Sequence, residues 1–237
     1  MLAVGNKAEL CMTCAVRHLS ICSALEGPAL ERFAAAVHIM SLDAQAPIFD
    51  EGEPATAVFN VKEGAVRLYK LLADGRRQIV GFLFEGDFLG LSGVRGGNYA
   101  YSAETVVPSH ICRLQRSAID GFLHEFPKME RQLLDIAAAE LAAAEEQMLL
   151  LGRKTARERL ASFLLKLSER AVRRGKPADP VSIPMSRTDI ADFLGLTTET
   201  VSRTMTQLKR ERLITLLPGA AIAISDRDAL QAASEGD

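Results

Sequence analysis

Thiols are the side chains of this sequence whose spacing most directly suggests chemistry. Cys11, Cys14 and Cys22 form a Cys-x2-Cys-x7-Cys pattern, and Cys112 lies 90 residues beyond Cys22 in a predicted strand. Three thiolates from a short segment and one from a strand could enclose an iron–sulfur cluster, or they could bind a structural zinc ion. A third alternative is that Cys112 is a buried core thiol and that the other three bind nothing. His18 lies between Cys14 and Cys22, and we expect it to be solvated rather than a ligand.

A second pattern, over residues 187–206, has the spacing of a helix-turn-helix. Counting from its first residue, the small side chain needed at the fifth position, where the two helices cross, is Ala191. The residue tolerant of the left-handed conformation that the turn needs at the ninth position is Gly195. Val201 is the inward apolar residue at the fifteenth position, whereas the eighteenth is Thr204, a departure from the apolar residue expected there.

The second helix of this pattern presents side chains suited to reading DNA. Ser186 with Asp189 can cap the first helix, and Thr197 can cap the second. In this motif the first turns of the second helix enter the major groove, where Arg donates to guanine and Glu accepts from cytosine. An opposite-charge pair four residues apart also stabilises the helix itself. The predicted base-reading residues are Thr198, Glu199, Ser202 and Arg203, and those expected at phosphates are Lys209 and Arg210.

The charge distribution supports a polyanionic partner for one part of the chain. Residues 1–152 have a net charge of −6, residues 153–217 of +7, and residues 218–237 of −3. A basic block of this length, flanked by acidic ones, is typical of a nucleic-acid-binding domain. The alternative is a solvated basic surface, but the helix-turn-helix pattern inside the block favours DNA.

The part of the chain before the helix-turn-helix divides into a strand-rich and a helical stretch. From about residue 38 to 114, short apolar runs alternate with Gly-containing turns, which predicts an antiparallel barrel or sandwich. From about residue 116 to 174 the pattern is helical, with a break at Phe126-Pro127. Beyond the helix-turn-helix, residues 213–217 and 221–224 predict a β-hairpin, or wing.

One predicted helix of about 25 residues, or roughly 37 Å, is longer than a small domain needs. Its apolar stripe could pack on the barrel or could form the seam of a homodimer, and its persistence over about five turns favours the seam. Two carboxylates near the seam would repel their symmetry mates in the dimer. The predicted dimerisation residues are Leu133, Ala137, Glu140, Leu141, Ala144, Glu146, Met148 and Leu151.

Several function classes are excluded or disfavoured. No apolar run reaches the roughly 18 residues that span a bilayer, and no secretory signal pattern is evident, so we expect a cytoplasmic protein without membrane association. No Ser/His/Asp, Walker or Rossmann signature is present, which argues against an enzyme. A thiol oxidoreductase using Cys11 and Cys14 is a remote alternative, because such a motif belongs in a βαβ context that the sequence lacks.

Together these features resemble the Crp/Fnr superfamily of bacterial transcription regulators, over nearly the whole chain. The helix carrying Glu199, Ser202 and Arg203 is similar to that of the Fnr/FixK branch, and residues 149–160 look like the family's hinge. The resemblance implies an α+β fold: a cysteine-bearing segment (1–26), a β-roll of the cyclic-nucleotide-binding type (27–126), a dimerisation helix (127–152) and a winged helix-turn-helix domain (153–237). It also implies a two-fold TTGAT-N4-ATCAA DNA site, a homodimer, and contact with RNA polymerase.

The resemblance also bears on what the chain senses. Cysteines in the pattern found here bind an oxygen-labile [4Fe-4S] cluster in Fnr proteins, which favours that cofactor over zinc. The implied mechanism is a switch in which the intact cluster favours the dimer and oxygen weakens it. Where the cyclic-nucleotide branch has a ribose-binding Glu and a phosphate-binding Arg, this chain has Leu91 and Tyr101, so we expect no cyclic nucleotide. His124, the nearest candidate for a haem ligand, is expected at the surface.

Overall fold

A computed structural model describes residues 7–91 and 97–236. The chain forms two compact units. One includes the residues up to Lys70 together with Val80–Leu141, and the other comprises Leu71–Ile79 and the residues from Ala142 onward. The boundary between these compact units lies at Leu141–Ala142, within a helix, and the domain bounds expected from the sequence stay a prediction. Within the described ranges, no helix combines the length and apolar character that crossing a membrane requires.

The first unit is built on two four-stranded antiparallel sheets, which confirms the predicted β-roll. One sheet has the order β1-β8-β3-β6 and the other β2-β7-β4-β5. The strands are β1 (His38–Leu42), β2 (Pro47–Phe49), β3 (Ala57–Glu63), β4 (Ala65–Leu71), β5 (Arg77–Phe84), β6 (Phe88–Leu89), β7 (Ser102–Thr105) and β8 (Ser109–Gln115). The sequence pattern missed β1, β2 and β6, because β2 and β6 have only three and two residues and β1 has no buried residue.

The interior of the roll contains an aromatic cluster. Phe49 stacks on Tyr99 with ring centroids 3.8 Å apart, and Phe59 packs against the same two rings. Offset stacking of this kind stabilises the core beyond the burial of apolar area alone. A second cluster lies between the sheet containing β8 and the helices around it, and it includes Phe33, Phe122 and Met129.

Helices cover this second cluster. They are α1 (Lys7–Met12), α2 (Gly27–Ala36), α3 (Arg116–Glu125) and α4 (Pro127–Arg153), with one-turn 3-10 helices at Arg17–Leu19 and Ile21–Ala24. The break between α3 and α4 lies at Phe126-Pro127, as predicted. Ile21 and Leu25 are 3% and 1% exposed, so the segment that carries the N-terminal cysteines is anchored in the core.

The second unit contains the rest of the helices and a three-stranded sheet. Its elements are the C-terminal part of α4, α5 (Ala156–Arg173), β9 (Val181–Ser182), α6 (Arg187–Leu194), α7 (Thr198–Arg210), β10 (Ile214–Leu217), β11 (Ala221–Ile224) and α8 (Arg227–Glu235). Strands β10 and β11 form the predicted wing, and β9 adds a third strand with the order β10-β11-β9. Helix α5 begins with a capping box formed by Thr155 and Glu158.

Candidate functional site

The four cysteines line one cavity of the first unit. Cys11 lies at the end of α1, Cys14 follows it, and Cys22 is in the one-turn helix Ile21–Ala24. Cys112 is on β8, a central strand that pairs with both β1 and β3. The structure therefore brings together a rigid thiol from the sheet and three thiols from a mostly helical segment, as the sequence pattern predicted.

The segment is held close to the roll at the turn between β5 and β6. Gly86 has a φ of +92°, and a Cβ added there would lie 2.7 Å from the Cβ of Leu19. Only glycine fits this approach, because another residue would clash with Leu19 and would also strain the backbone. This close packing places the 3-10 helices, and with them Cys22, against the sheet.

The cavity measures about 620 Å³, counting the part open to solvent, and its walls are mainly apolar. Phe33, Phe59 and Phe88 are among the lining side chains. Two polar side chains, Asn60 and Lys62, project into it from β3. They share one face of the strand with Val58, since side chains two residues apart point the same way. Neither Asn60 nor Lys62 was predicted as a site residue, although the alternation along this strand is a signal that identifies both.

Burial determines the protonation state of the thiols in the metal-free protein. Burial raises the pKa of Cys22 and that of Cys112 to about 12, and the neighbouring thiols Cys11 and Cys14 add to both shifts. The pKa of Cys11 is also raised, mainly by burial, and Lys62 opposes the shift at Cys11 and Cys112. A nucleophilic thiol needs a lowered pKa, whereas the pKa values of Cys11, Cys22 and Cys112 are raised.

The four-thiol donor set is one that both an iron–sulfur cluster and a structural zinc ion accept. Tetrahedral zinc with Zn–S bonds of about 2.3 Å requires four sulfur atoms converging on one point. Among the described residues, no group of three or more His, Cys, Asp or Glu side chains is arranged to hold one metal ion. His18 is exposed and does not line this cavity, in line with the expectation that it is solvated.

The helix-turn-helix of the second unit has the local geometry that its sequence predicts. Ser186 and Asp189 form a reciprocal capping box at α6, and Thr197 accepts from the backbone N–H of Thr200 at the start of α7. Gly195 has φ +62° and ψ 41°, the left-handed conformation expected for the turn. Ala191, Val201 and also Thr204 are buried, so the eighteenth position faces inward despite its hydroxyl.

The outward face of α7 is free for a ligand. Every residue predicted to read bases or contact phosphate is exposed: Thr198, Glu199, Ser202, Arg203, Lys209 and Arg210. Within residues 97–236 the structure describes no ion pair between Glu199 and Arg203, although their spacing would allow one. The Arg203 guanidinium is therefore available to donate to a base edge.

One side chain ties this motif to the preceding helices. Arg159 donates to the carbonyl oxygens of Leu151, Lys154 and Leu194, each at 2.8 Å. These carbonyls lie at the C-terminal ends of α4 and α6, where carbonyl oxygens have no donor within the helix, and Arg159 supplies that donor. This role of Arg159 was not predicted, because nothing in the local sequence distinguishes it from the other arginines of the basic block.

A second tie within this unit involves a residue far away in sequence. Arg77 donates to Asp189 at 2.7 Å and to Asp192 at 2.9 Å, and Gln78 donates to the carbonyl of Asp192. Asp189 is 3% exposed and also serves the α6 capping box. A buried carboxylate needs such partners, since an unpaired buried charge is costly. The separation of 112 residues leaves no local signal of this contact.

The predicted dimer seam requires one correction. Leu133 is 7% exposed and packs in the core of the first unit, so it is not available to a second chain. The exposed large apolar residues of α4 are Leu134, Leu141, Met148 and Leu149, and the first three of these recur every seven residues. Of the other predicted positions, Ala137 and Leu151 are half-buried, whereas Glu140, Ala144 and Glu146 are exposed.

The two carboxylates predicted near the seam have contacts within their own units. Glu146 forms an ion pair with Lys166 of α5. Glu140 lies close enough to Tyr101 to contribute to the raised pKa of that phenol, which is caused mainly by burial. Each carboxylate thus has an intramolecular role, and repulsion between symmetry mates stays a prediction.

Leu91 and Tyr101, the residues from which we expect no cyclic nucleotide, both lie in the first unit, and that expectation stays a prediction. Leu91 packs against the core, and the backbone N–H of Gly90 donates to the hydroxyl of Tyr101. The loop at residues 92–96 lies outside the described residues. His124, considered as a haem ligand, is exposed on α3.

A β-roll followed by a long helix and a winged helix-turn-helix defines a class of DNA-binding regulators, and the comparisons with known proteins agree. The "Crp-like helix-turn-helix domain" family matches residues 158–233, and the "Cyclic nucleotide-binding domain" family matches residues 39–126. The chain belongs to the Crp/Fnr family of transcription regulators.

Several relatives match nearly the whole chain. The transcriptional activatory protein AadR of Rhodopseudomonas palustris is 45% identical over 226 residues, covering 93% of this chain and 92% of AadR. The nitrogen fixation regulation protein FixK of Bradyrhizobium diazoefficiens is 40% identical and covers 92% of each chain. The solved structure of FixK2 from Bradyrhizobium japonicum superposes with a TM-score of 0.77 at 39% identity, over 83% of this chain and 96% of that one.

Proposed function

We propose that this chain is a homodimeric, oxygen-responsive transcriptional activator whose four thiols hold a [4Fe-4S] cluster. The observation that carries the proposal is that Cys11, Cys14, Cys22 and Cys112 all line one cavity. Relatives of similar length are named as activators, among them AadR and the FnrL protein of Cereibacter sphaeroides, which is 33% identical over 91% of this chain. As an activator, the chain is expected to contact RNA polymerase.

The residues of the cavity suit an anionic thiolate-bound group. A bound [4Fe-4S] cluster would supply an oxygen-labile centre whose stability depends on net charge, hydrogen bonds and solvent exposure. Lys62 places a positive charge beside the thiols, and the phenylalanine walls restrict water. Because the thiols of Cys22 and Cys112 have raised pKa values, ligation must release their protons.

The four ligands couple the N-terminal segment to the sheet. Cys22 is on a one-turn helix and Cys112 is on a central strand, so ligands from both fix the segment against the roll. Loss of the common group leaves the segment held only by its packing and hydrogen bonds. We infer that the buried side chains of Ile21 and Leu25 and the local hydrogen bonds do not hold the segment as firmly as the shared ligands do, which suits it to an order–disorder switch.

DNA binding then follows from the second unit. Glu199, Ser202 and Arg203 are exposed on the first two turns of α7 and are assigned to the base edges of a TTGAT-N4-ATCAA site. A two-fold site requires two recognition helices about one helical turn of DNA apart, which a homodimer supplies. Leu134, Leu141 and Met148 give α4 the seven-residue apolar repeat that a dimer seam requires.

The decisive experiment is the visible spectrum of anaerobically purified protein before and after exposure to air. We expect broad thiolate-to-iron absorption that bleaches in air and that is lost when any one of the four cysteines is replaced by serine. Iron and sulfide analysis should give four of each per chain, as a [4Fe-4S] cluster requires.

The same measurement separates the alternatives. Colourless protein with one zinc ion per chain would refute oxygen sensing and leave a zinc-stabilised DNA-binding regulator. Full absorption in Cys112→Ser would show that the fourth ligand is a different residue. Absorption that does not respond to air would leave the cluster but refute its role as an oxygen sensor.

A further inference from the structure

Asn60 is an unusual residue for its position in the sheet. It lies on β3 directly opposite Cys112 of β8, and the side chains of such cross-strand partners lie on the same face. Asparagine is depleted in strands, and the neighbouring positions on this face, Val58 and Leu114, are apolar. The Oδ1 atom of Asn60 is buried and has no hydrogen-bond partner in the described part of the chain, which is energetically unfavourable.

The carboxamide of Asn60 forms a hydrogen bond that compensates for this cost. Its Nδ2 atom donates to the Oγ atom of Ser20 at 3.0 Å, and the Ser20 hydroxyl in turn donates to the carbonyl of Val16 at 3.0 Å. Ser20 is 2% exposed and is the residue immediately before the one-turn helix that carries Cys22. The bond therefore joins the sheet beside Cys112 to the segment beside Cys22.

We propose that Asn60 is a positioning residue of the four-thiol site, which holds the helix carrying Cys22 opposite Cys112 before any cofactor is bound. The role of the site rests on the proposed function, but the positioning contact belongs to the metal-free protein. The amide of Asn60 donates to Ser20 and to the neighbouring carbonyl of Val61 but forms no hydrogen bond to a thiol of the described residues, so it acts on the site through the segment. An apolar residue at position 60 would suit the strand better and would release the segment.

The test is a double-mutant cycle on the full-length, metal-free protein under anaerobic conditions. Asn60→Val removes the donor and leaves a side chain that favours a strand, and Ser20→Ala removes the acceptor from the segment. Amide hydrogen exchange of peptides covering residues 13–25 reports opening of the segment. We expect exchange about two- to tenfold faster in each variant, the range for one lost hydrogen bond.

Two further features of the cycle distinguish positioning from general stabilisation. The double variant should exchange no faster than Ser20→Ala, because Ser20→Ala already removes the bond to Asn60 together with the Ser20 bond to the carbonyl of Val16. The thermal midpoint of the roll should be unchanged or higher in Asn60→Val, so that segment opening and roll stability move in different directions. Thr13→Val is the matched control, since the Thr13 hydroxyl donates to the carbonyl of Glu9 within the segment and has no bond to the sheet.

The outcomes are distinct from those of the proposed function. Additive effects of the two substitutions, or exchange rates equal to those of Thr13→Val, would overturn the role of Asn60. Failure of every variant and of the unmodified protein to take up iron would refute the proposed cofactor, while the exchange cycle would still decide the positioning contact. If Asn60→Val destabilises the roll, the comparison of Ser20→Ala with Thr13→Val provides the test. Each loses one hydroxyl-to-carbonyl bond within the segment, and only Ser20→Ala also loses the bond to the sheet.

Discussion

Replacement of Leu141 by alanine should weaken the proposed dimer strongly. Leu141 is 62% exposed at the middle of the seven-residue repeat on α4. Complete burial of a leucine side chain stabilises by about 1.5–3 kcal/mol, so burial of the exposed part is worth about 1–2 kcal/mol. A two-fold seam contains two copies of Leu141, so the substitution should lower the free energy of dimerisation by about 2–4 kcal/mol, which raises the dissociation constant roughly 30- to 700-fold.

Sedimentation equilibrium of the anaerobic protein over a range of concentrations measures this change. Val172→Ala is the matched control, because Val172 is 54% exposed on α5 and has no place in the seam. Leu133→Ala should lower the free energy of unfolding by about 2–5 kcal/mol, since Leu133 is a core residue. Equal dissociation constants for Leu141→Ala and Val172→Ala would refute the assignment of the seam to this face.

Three further predictions concern DNA binding, the junction of helices and pH. Arg203→Ala should lose about 1–3 kcal/mol of binding free energy on the TTGAT half-site and discriminate less at its guanine, whereas Arg210→Ala should weaken binding to all sequences alike and reduce the salt slope by about one. Titrations on specific and guanine-substituted DNA at two salt concentrations measure both effects, and equal losses for the two variants would refute the readout assignment. Arg159→Met should lower the urea-derived free energy of unfolding by about 2–4 kcal/mol, whereas Arg157→Met, which removes one surface ion pair with Glu211, should lower it by less than about 1 kcal/mol. Similar values for the two variants would argue against the stabilising role of the three bonds from Arg159 to main-chain carbonyls. Burial raises the pKa of Cys22 from 9.0 to about 12, so the folded metal-free protein holds that proton more tightly than the unfolded chain does. The free energy of unfolding should therefore keep this contribution below pH 9 and lose it between pH 9 and about 12, with a smaller fall in Cys22→Ser. An identical pH profile of the two proteins would contradict the burial of this thiol.

The helix-turn-helix could be predicted in detail because its requirements are local. A left-handed turn at Gly195, a small residue at Ala191 and two capping side chains each follow from a short stretch of sequence. The convergence of Cys112 with the N-terminal thiols needed an assumption about the fold. Spacing shows which thiols could act together, but only the register of β8 shows that Cys112 faces the segment.

Other features could not be predicted because they depend on which side of an element faces the core. The apolar stripe of α4 contains two rows, and the sequence gives no means of separating Leu133, which is buried, from Leu134, which is 65% exposed. The pairing of Arg77 with Asp189 joins residues 112 positions apart and depends on the whole fold. The contact between Asn60 and Ser20 has the same origin, because it arises only after the segment has packed on the sheet.

The bonds made by Arg159 also bear on which substitutions the junction of helices tolerates. All three acceptors are main-chain oxygens, those of Leu151, Lys154 and Leu194, and a carbonyl oxygen is present whatever side chain the residue has. Substitutions at these three positions therefore leave the acceptors in place, provided that the new side chains fit. Replacement of Arg159 removes every donor at once. A single codon, that of Arg159, thus specifies all three bonds between the long helix and the DNA-binding motif, whereas the codons of Leu151, Lys154 and Leu194 are constrained only by the packing and contacts of their own side chains.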